Sequence, residues 1–217
     1  VIVSVSGACS RAGKTAAAVA LVEAHPRRSA VAVKFTTTED IFKRCPRGTA
    51  CVVCDIDVPF RIVEDEATLR QPGTDTDRLA AAGARRVVWA IAKRAQAAEA
   101  WSAVKATLQP DEPVVIEGSS IVAIAQPDVN VFVVHPFLAP ERWKAGSELL
   151  VRSADLVVVN IHSRERRAPA QSVISALERQ RGGREIRVAN VTRPLADWAP
   201  DLFARFAPAF NEDLARA

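Results

Sequence analysis

Short runs rich in Val, Ile and Ala recur along the chain, and between them lie Ala-rich stretches whose apolar positions fall every three or four residues. The runs at 1–6, 29–35, 86–92, 113–117, 129–135, 155–160 and 186–191 read as strands buried on both faces. The stretches at 14–24, 75–82, 94–108, 140–152, 168–181 and 200–214 carry helical spacing. This alternation predicts an α/β fold in three layers, with a mostly parallel central sheet of about seven strands flanked by helices. A chain of 217 residues fits a single domain over 1–217. No internal repeat or low-complexity tract interrupts it.

Segment 36–73 breaks the rhythm, because it is too long for an ordinary connection. It holds Cys45, Cys51 and Cys54, and its residues 58–63 would add a short strand. A long insert beside a regular sheet is more often functional than idle.

The first predicted strand runs into Gly7-Ala8-Cys9-Ser10-Arg11-Ala12-Gly13-Lys14-Thr15, and a predicted helix follows. Strand, glycine-rich turn and helix start are the context of a phosphate-binding loop. Glycines let backbone N–H groups curl inward on phosphate oxygens, and the helix N-terminus adds partial positive charge. Gly7, Ala8, Arg11, Ala12, Gly13, Lys14, Thr15 and Ala16 are therefore candidate nucleotide-binding residues. Lys14 would reach the outer phosphates as a catalytic cation, and the Thr15 hydroxyl would ligate Mg²⁺. The two glycines of this loop stand one residue further apart than in the commonest form.

The apolar run at 113–117 ends in Glu117 and Gly118. Ligands of open α/β sheets sit beyond the carboxyl ends of the strands, so Glu117 would face the same site and hold Mg²⁺ directly or through water. The rival reading is an exposed Glu at a strand end.

Taken together, the loop spacing and the strand ending in Glu117-Gly118 resemble dethiobiotin synthetase, and Lys34 resembles a lysine of that family. Pro72-Gly73-Thr74-Asp75-Thr76-Asp77-Arg78, with Ala82-Gly83-Ala84 after it, is similar to a stretch of the molybdopterin-guanine dinucleotide biosynthesis adaptor proteins. The resemblance runs through roughly residues 1–160 outside the insert and implies a P-loop NTPase fold. It implies Asp75 as a Mg²⁺ ligand, Lys34 as a catalytic lysine on phosphate or substrate, and a homodimer built around the nucleotide. A plainer reading makes Asp75 the helix cap after a Pro-Gly turn. Asn160, at the end of the run at 155–160, would suit recognition of a base. The residues after it, Ile161-His162-Ser163, lack the carboxylate that reads guanine, so ATP or GTP both stand. The adaptor family's basic, histidine-bearing stretch is replaced here by Phe35-Thr36-Thr37-Thr38.

Cys45, Cys51 and Cys54 match neither family. A Cys-x2-Cys pair can place two thiolates on one metal. Basic Lys43, Arg44 and Arg47 beside them favour thiolate and an anionic cluster, so a [4Fe–4S] cluster leads and zinc is the alternative. Redox-active or plain buried thiols are the remaining reading. Cys9 is a fourth ligand or a small filler of the loop.

Composition narrows the class. The chain is 49 % hydrophobic and 25 % charged with a net charge of +4, which suits an anionic ligand without demanding nucleic acid. No apolar stretch is long enough for a membrane span. The apolar start reads as a strand and not a signal peptide. Four Cys are too few for a disulfide scaffold, and with a nucleotide loop they suggest the cytoplasm. His135 faces the site or belongs to a loop, His162 touches a base or nothing, and Trp89, Trp101, Trp143 and Trp198 read as packing residues. Two functions are carried forward. One is a Mg²⁺-dependent, nucleotide-driven adaptor or NTPase in cofactor or metal-centre assembly, acting with a protein partner. The other is an ATP-dependent ligase or synthetase acting on a small carboxylate or amine.

Overall fold

The computed structural model describes residues 1–25, 29–38, 58–161 and 167–206. Its sheet has eight strands: β1 (Ile2–Gly7), β2 (Val31–Thr38), β3 (Phe60–Val63), β4 (Arg86–Lys93), β5 (Val114–Glu117), β6 (Val129–Val134), β7 (Leu156–Asn160) and β8 (Ile186–Ala189). Their order is β3-β4-β2-β5-β1-β6-β7-β8. Every pairing is parallel except that of β3 with β4. The eighth strand comes from the segment expected as an insert, where Phe60–Val63 covers the free edge of β4 and turns Arg61 outward.

The helices are α1 (Lys14–Ala24), α2 (Glu66–Leu69), α3 (Asp75–Ala81), α4 (Ala97–Lys105), α5 (Val122–Ala125), α6 (Ser147–Ser153), α7 (Gln171–Arg181), α8 (Leu195–Trp198) and α9 (Pro200–Phe206). Side chains alternate across the sheet and divide the core into two layers. Val3, Val5, Ala32, Val115, Val131, Val133 and Val158 pack with Ala17, Leu21, Leu79 and Leu195 of α1, α3 and α8. On the opposite face, Val31, Val33, Val88 and Ile116 meet Trp101 and Val104 of α4. Further along that face, Phe132, Val157 and Val159 meet Val151, Val173 and Leu177 of α6 and α7. Between these two clusters β1 and β6 place a buried polar seam, in which Ser4 and Ser6 each donate to Asn130 Oδ1 at 2.9 Å.

α1 is buried along most of its length, with Ala16, Ala17, Ala18 and Ala20 against its neighbours. Small side chains let it lie close to the sheet, which brings its N-terminus to the carboxyl end of β1. β1 sits between β5 and β6. The chain leaves β1 toward β2 and later crosses it from β5 to β6, the arrangement that opens a crevice at the carboxyl edge.

Several predicted helices are shorter than their periodic stretches. The one expected at 94–108 opens with a 3₁₀ turn over Arg94–Gln96. The one expected at 140–152 is a 3₁₀ turn over Pro140–Arg142, a break, and then α6. Gly146 adopts a left-handed conformation at φ 79° and ends the break, which a continuous helix could not accommodate. α2, α5 and α8 are single turns, too short to leave a periodic signal. His25 caps the end of α1, where a charged ring would suit the helix dipole. Burial instead pushes the ring down to about 4, so it sits there neutral. No helix among the described residues is long and apolar enough to cross a membrane.

One buried cation ties the second face together. Arg181 is 3 % exposed and donates to the carbonyls of Val151, Ala154, Asp155 and Glu185. It thereby satisfies the carbonyls at the C-terminus of α6 from the end of α7. Arg181→Leu removes these donations from a buried site and is expected to cost about 3 kcal/mol of stability. The midpoint of urea unfolding measures this, and a shift within error of zero contradicts the bracing role.

Candidate functional site

The loop after β1 and the first turn of α1 form the floor of the site. Gly13 is the N-cap of α1, at φ 108°, and no side chain caps the helix. The first-turn N–H groups thus point outward, as an anion site requires. A side chain at Gly13 would be strained at that φ and would collide with the Asn160 amide. At Gly7, an added Cβ would lie 2.6 Å from the Val133 carbonyl and 3.0 Å from Lys14 Cγ, so this glycine makes room for the lysine stem. Arg11, at the loop tip, has φ 62° without being glycine. That conformation costs roughly 1–2 kcal/mol and marks a backbone held by its surroundings.

Four residues from outside hold the loop. The Ala8 N–H donates to the Val133 carbonyl at 3.2 Å. The Gly7 N–H donates to Ser119 Oγ at 3.0 Å, and the same hydroxyl donates to the Gly7 carbonyl at 3.2 Å. Asn160 Nδ2 donates to the Ala12 carbonyl at 3.0 Å while its Oδ1 accepts from the Val191 N–H at 3.2 Å. The Lys144 N–H donates to the Ala8 carbonyl at 2.8 Å.

The charged groups converge above this floor. Lys34 on β2 and Glu117 on β5 are register partners. Both project from the face that packs on α1. The Lys34 ammonium lies 2.7 Å from Glu117 Oε1 and 2.6 Å from Asp75 Oδ2. The Thr15 hydroxyl donates to the other oxygen, Asp75 Oδ1, at 2.9 Å. Glu117 is 1 % exposed, and its Oε2 is buried without a hydrogen-bond partner. The exposed strand-end reading of Glu117 is thereby set aside. Asp75 is the first residue of α3, whose N-cap is Thr74, accepting from the Asp77 N–H. The cap reading of Asp75 therefore passes to its neighbour, and the Asp75 carboxylate is turned to the loop. Lys14 Nζ donates to the Cys9 carbonyl at 2.8 Å, folding over the same loop.

The electrostatics follow from this geometry. Burial pushes the Lys14 ammonium below its ordinary value, and Lys144 and Lys34 add repulsion against the pull of Glu117. Burial would lower Lys34 too, but Glu117 and Asp75 outweigh it and raise it. Burial works to raise Asp75, yet Lys34 and the hydrogen bond from Thr15 hold it below the usual carboxylate range. Burial raises the Cys9 thiol over the pull of Lys14 and Lys144.

Lys14, Thr15, Lys34, Asp75 and Glu117 thus form one cluster, with Gly7, Ala8, Arg11, Ala12, Gly13 and Ala16 beneath it. Asn160 reaches the loop, but through hydrogen bonds to backbone that brace Ala12. His135 is turned back on its own loop, where Nδ1 accepts from the Phe137 N–H. Cys45, Cys51, Cys54 and His162 lie outside the described residues. Cys9 is partly buried against the core beside α1. Sequence reasoning missed Ser119 and Lys144. Ser119 follows Glu117-Gly118 directly, but a lone serine carries no pattern. Lys144 lies in the break between Arg142 and α6, and nothing in its neighbours marks it.

Asn160→Ala removes the brace on the loop at Ala12 and the bond to Val191, and leaves a buried carbonyl and N–H unpaired. We expect a loss of about 2 kcal/mol in stability, read from urea unfolding. A loss below about 0.5 kcal/mol, the range of ordinary surface changes, contradicts the bracing role.

No protein-family model matches the chain, and no curated protein matches it. Among solved structures it is similar to the septum site-determining protein MinD from Pyrococcus horikoshii in complex with Mg-ADP. The identity is 13 %, the TM-score is 0.46, and the match covers 97 % of this chain and 95 % of that one.

Proposed function

We propose that this chain binds a nucleoside triphosphate with Mg²⁺ on the loop 7–15 and acts as a nucleotide-dependent adaptor or NTPase in cofactor or metal-centre biosynthesis. The supporting observation is the convergence of Thr15, Lys34, Asp75 and Glu117 at the carboxyl end of β5 and the middle of β2, over the N-terminus of α1. Gly7, Ala8, Arg11, Ala12, Gly13 and Ala16 supply backbone around the phosphates, and Lys14 supplies charge. This cradle reads phosphate and not base, so it accommodates ATP and GTP alike. Thr15, Asp75 and Glu117 would hold Mg²⁺. They are hard oxygen donors, and the unpartnered Glu117 Oε2 suits that task. Bound there, the metal would neutralise charge on the phosphate oxygens. Lys34 adds a second cation beside Lys14. By resemblance, the chain would dimerise around the nucleotide.

The ligase or synthetase reading keeps one specific support. Lys34 lies within reach of both the phosphate site and any small acid placed beside it. Turnover stimulated by one small carboxylate or amine favours that reading, and slow hydrolysis stimulated only by a protein favours the adaptor.

Glu117→Gln should leave the fold intact and weaken Mg²⁺-dependent nucleotide binding by about tenfold, a typical worth for one charge-assisted contact. A fluorescent nucleotide titrated with and without EDTA reads this, and an unchanged Mg²⁺ dependence removes Glu117 from the metal site. The three cysteines are proposed to carry a [4Fe–4S] cluster. Anaerobically purified protein should then absorb at about 400 nm, and Cys51→Ser should abolish the band. Colourless protein with stoichiometric zinc overturns the iron assignment in favour of the Cys-rich zinc site.

A further inference from the structure

We infer that Lys144, from the connection between β6 and α6, is a phosphate-binding cation of the nucleotide site, reaching the loop 7–15 from the flank of β1 away from Lys34. This rests on the nucleotide reading above and adds to it a residue from outside the loop.

Backbone geometry carries the inference. β1 lies between β5 and β6, so the loop that leaves it has β5 and β2 on one flank and the chain after β6 on the other. That chain is helical before and after Lys144 but not at it. An α-helix continuing from Pro140 would give the Lys144 N–H to the Pro140 carbonyl. The Trp143 N–H takes that carbonyl instead, at 3.0 Å, and the Lys144 N–H is free to donate to the Ala8 carbonyl at 2.8 Å. The Trp143 indole anchors the turn on the Leu138 carbonyl at 3.0 Å. The Lys144 carbonyl accepts from the Ser147 N–H at 3.1 Å. Both backbone groups of Lys144 are thus committed, and its exposed side chain starts from a point fixed against the loop.

The cations around that point lack an anion. Lys34 is held by Asp75 and Glu117, whereas Lys14 rests on a neutral carbonyl, that of Cys9. Lys144 forms no ion pair among the described residues, although Glu141 and Glu148 line the same cleft. Its ammonium is near enough to act on two residues of the loop. It opposes the charge of Lys14 more strongly than Lys34 does, and it pulls down on the Cys9 thiol. Lys14 and Lys34 only balance Asp75 and Glu117. Lys144, with Arg11 at the loop tip, tips the balance positive. Two ammonium groups kept close with no acid between them repel each other. A polyphosphate on the loop supplies the missing anion, and contact with both groups relieves that repulsion.

The test is calorimetric titration of ATP, and of GTP in parallel, with Mg²⁺ into wild type, Lys144→Gln and Lys144→Arg. Glutamine keeps the backbone N–H on Ala8 and removes only the charge, at an exposed position where the fold tolerates it. Lys144→Gln should bind about tenfold more weakly, the worth of one charge-assisted contact. Lys144→Arg should recover most of the affinity. The deficit of the glutamine variant should also shrink as salt is raised, because screening weakens a charge and leaves packing untouched. Equal affinities of Lys144→Gln and wild type overturn the proposal. So does a deficit that Lys144→Arg shares in full and that salt leaves unchanged, which assigns Lys144 to bracing alone. Binding of neither nucleotide by wild type, with or without Mg²⁺, removes the nucleotide reading and this proposal with it, an outcome distinct from equal affinities.

Discussion

The ammonium of Lys34, held between Glu117 and Asp75, is the contact on which the site's arrangement depends. Glu117 is almost wholly enclosed by the sheet and α1. A carboxylate there needs a partner or it neutralises. Parallel pairing of β2 with β5 sets Lys34 beside it in register. The second carboxylate then arrives from α3, and its other oxygen takes the Thr15 hydroxyl. One buried acid therefore links two strands, the start of α3 and the start of α1. Breaking one partner leaves a buried charge exposed to its full desolvation cost.

The loop beneath is held as firmly as the charges above it. Its carbonyls and N–H groups are fastened by Ser119, Asn160, Val133 and Lys144, which come from four separate segments. That bracing sustains a left-handed Arg11 and an uncapped helix start, neither of which the loop would keep by local preference. Groups already in place when an anion arrives need no reorganisation, which is what makes such a cradle effective.

Most of the fold was legible because its strands are buried on both faces. Such strands must be apolar throughout, so β1, β2, β4, β5, β6, β7 and β8 all surface as runs in the sequence. The short strand expected at 58–63 is β3, at Phe60–Val63, whereas the one-turn helices α2, α5 and α8 are too short for any period. Strand order is legible in neither run nor stripe, since it depends on which strands pair and not on what each contains. The break before α6 turns on the backbone at Gly146, and a glycine inside a periodic stretch does not reveal its φ.

By itself the sequence determined the layered α/β class, the position of the candidate phosphate loop, and the candidacy of Lys14, Thr15 and Glu117. Those features are local, a spacing of glycines or a carboxylate ending an apolar run, and local chemistry is written in consecutive residues. The tertiary structure decided the rest. It brought Lys34 against Glu117 across 83 residues and decided between the two readings of Asp75, giving the cap to Thr74 and the Asp75 carboxylate to Thr15 and Lys34. It spent the Asn160 amide on the loop's backbone and delivered Ser119 and Lys144 to the same loop. These depend on strand order, register and the close seat of an alanine-rich helix, and each is a property of packed neighbours that no single segment contains.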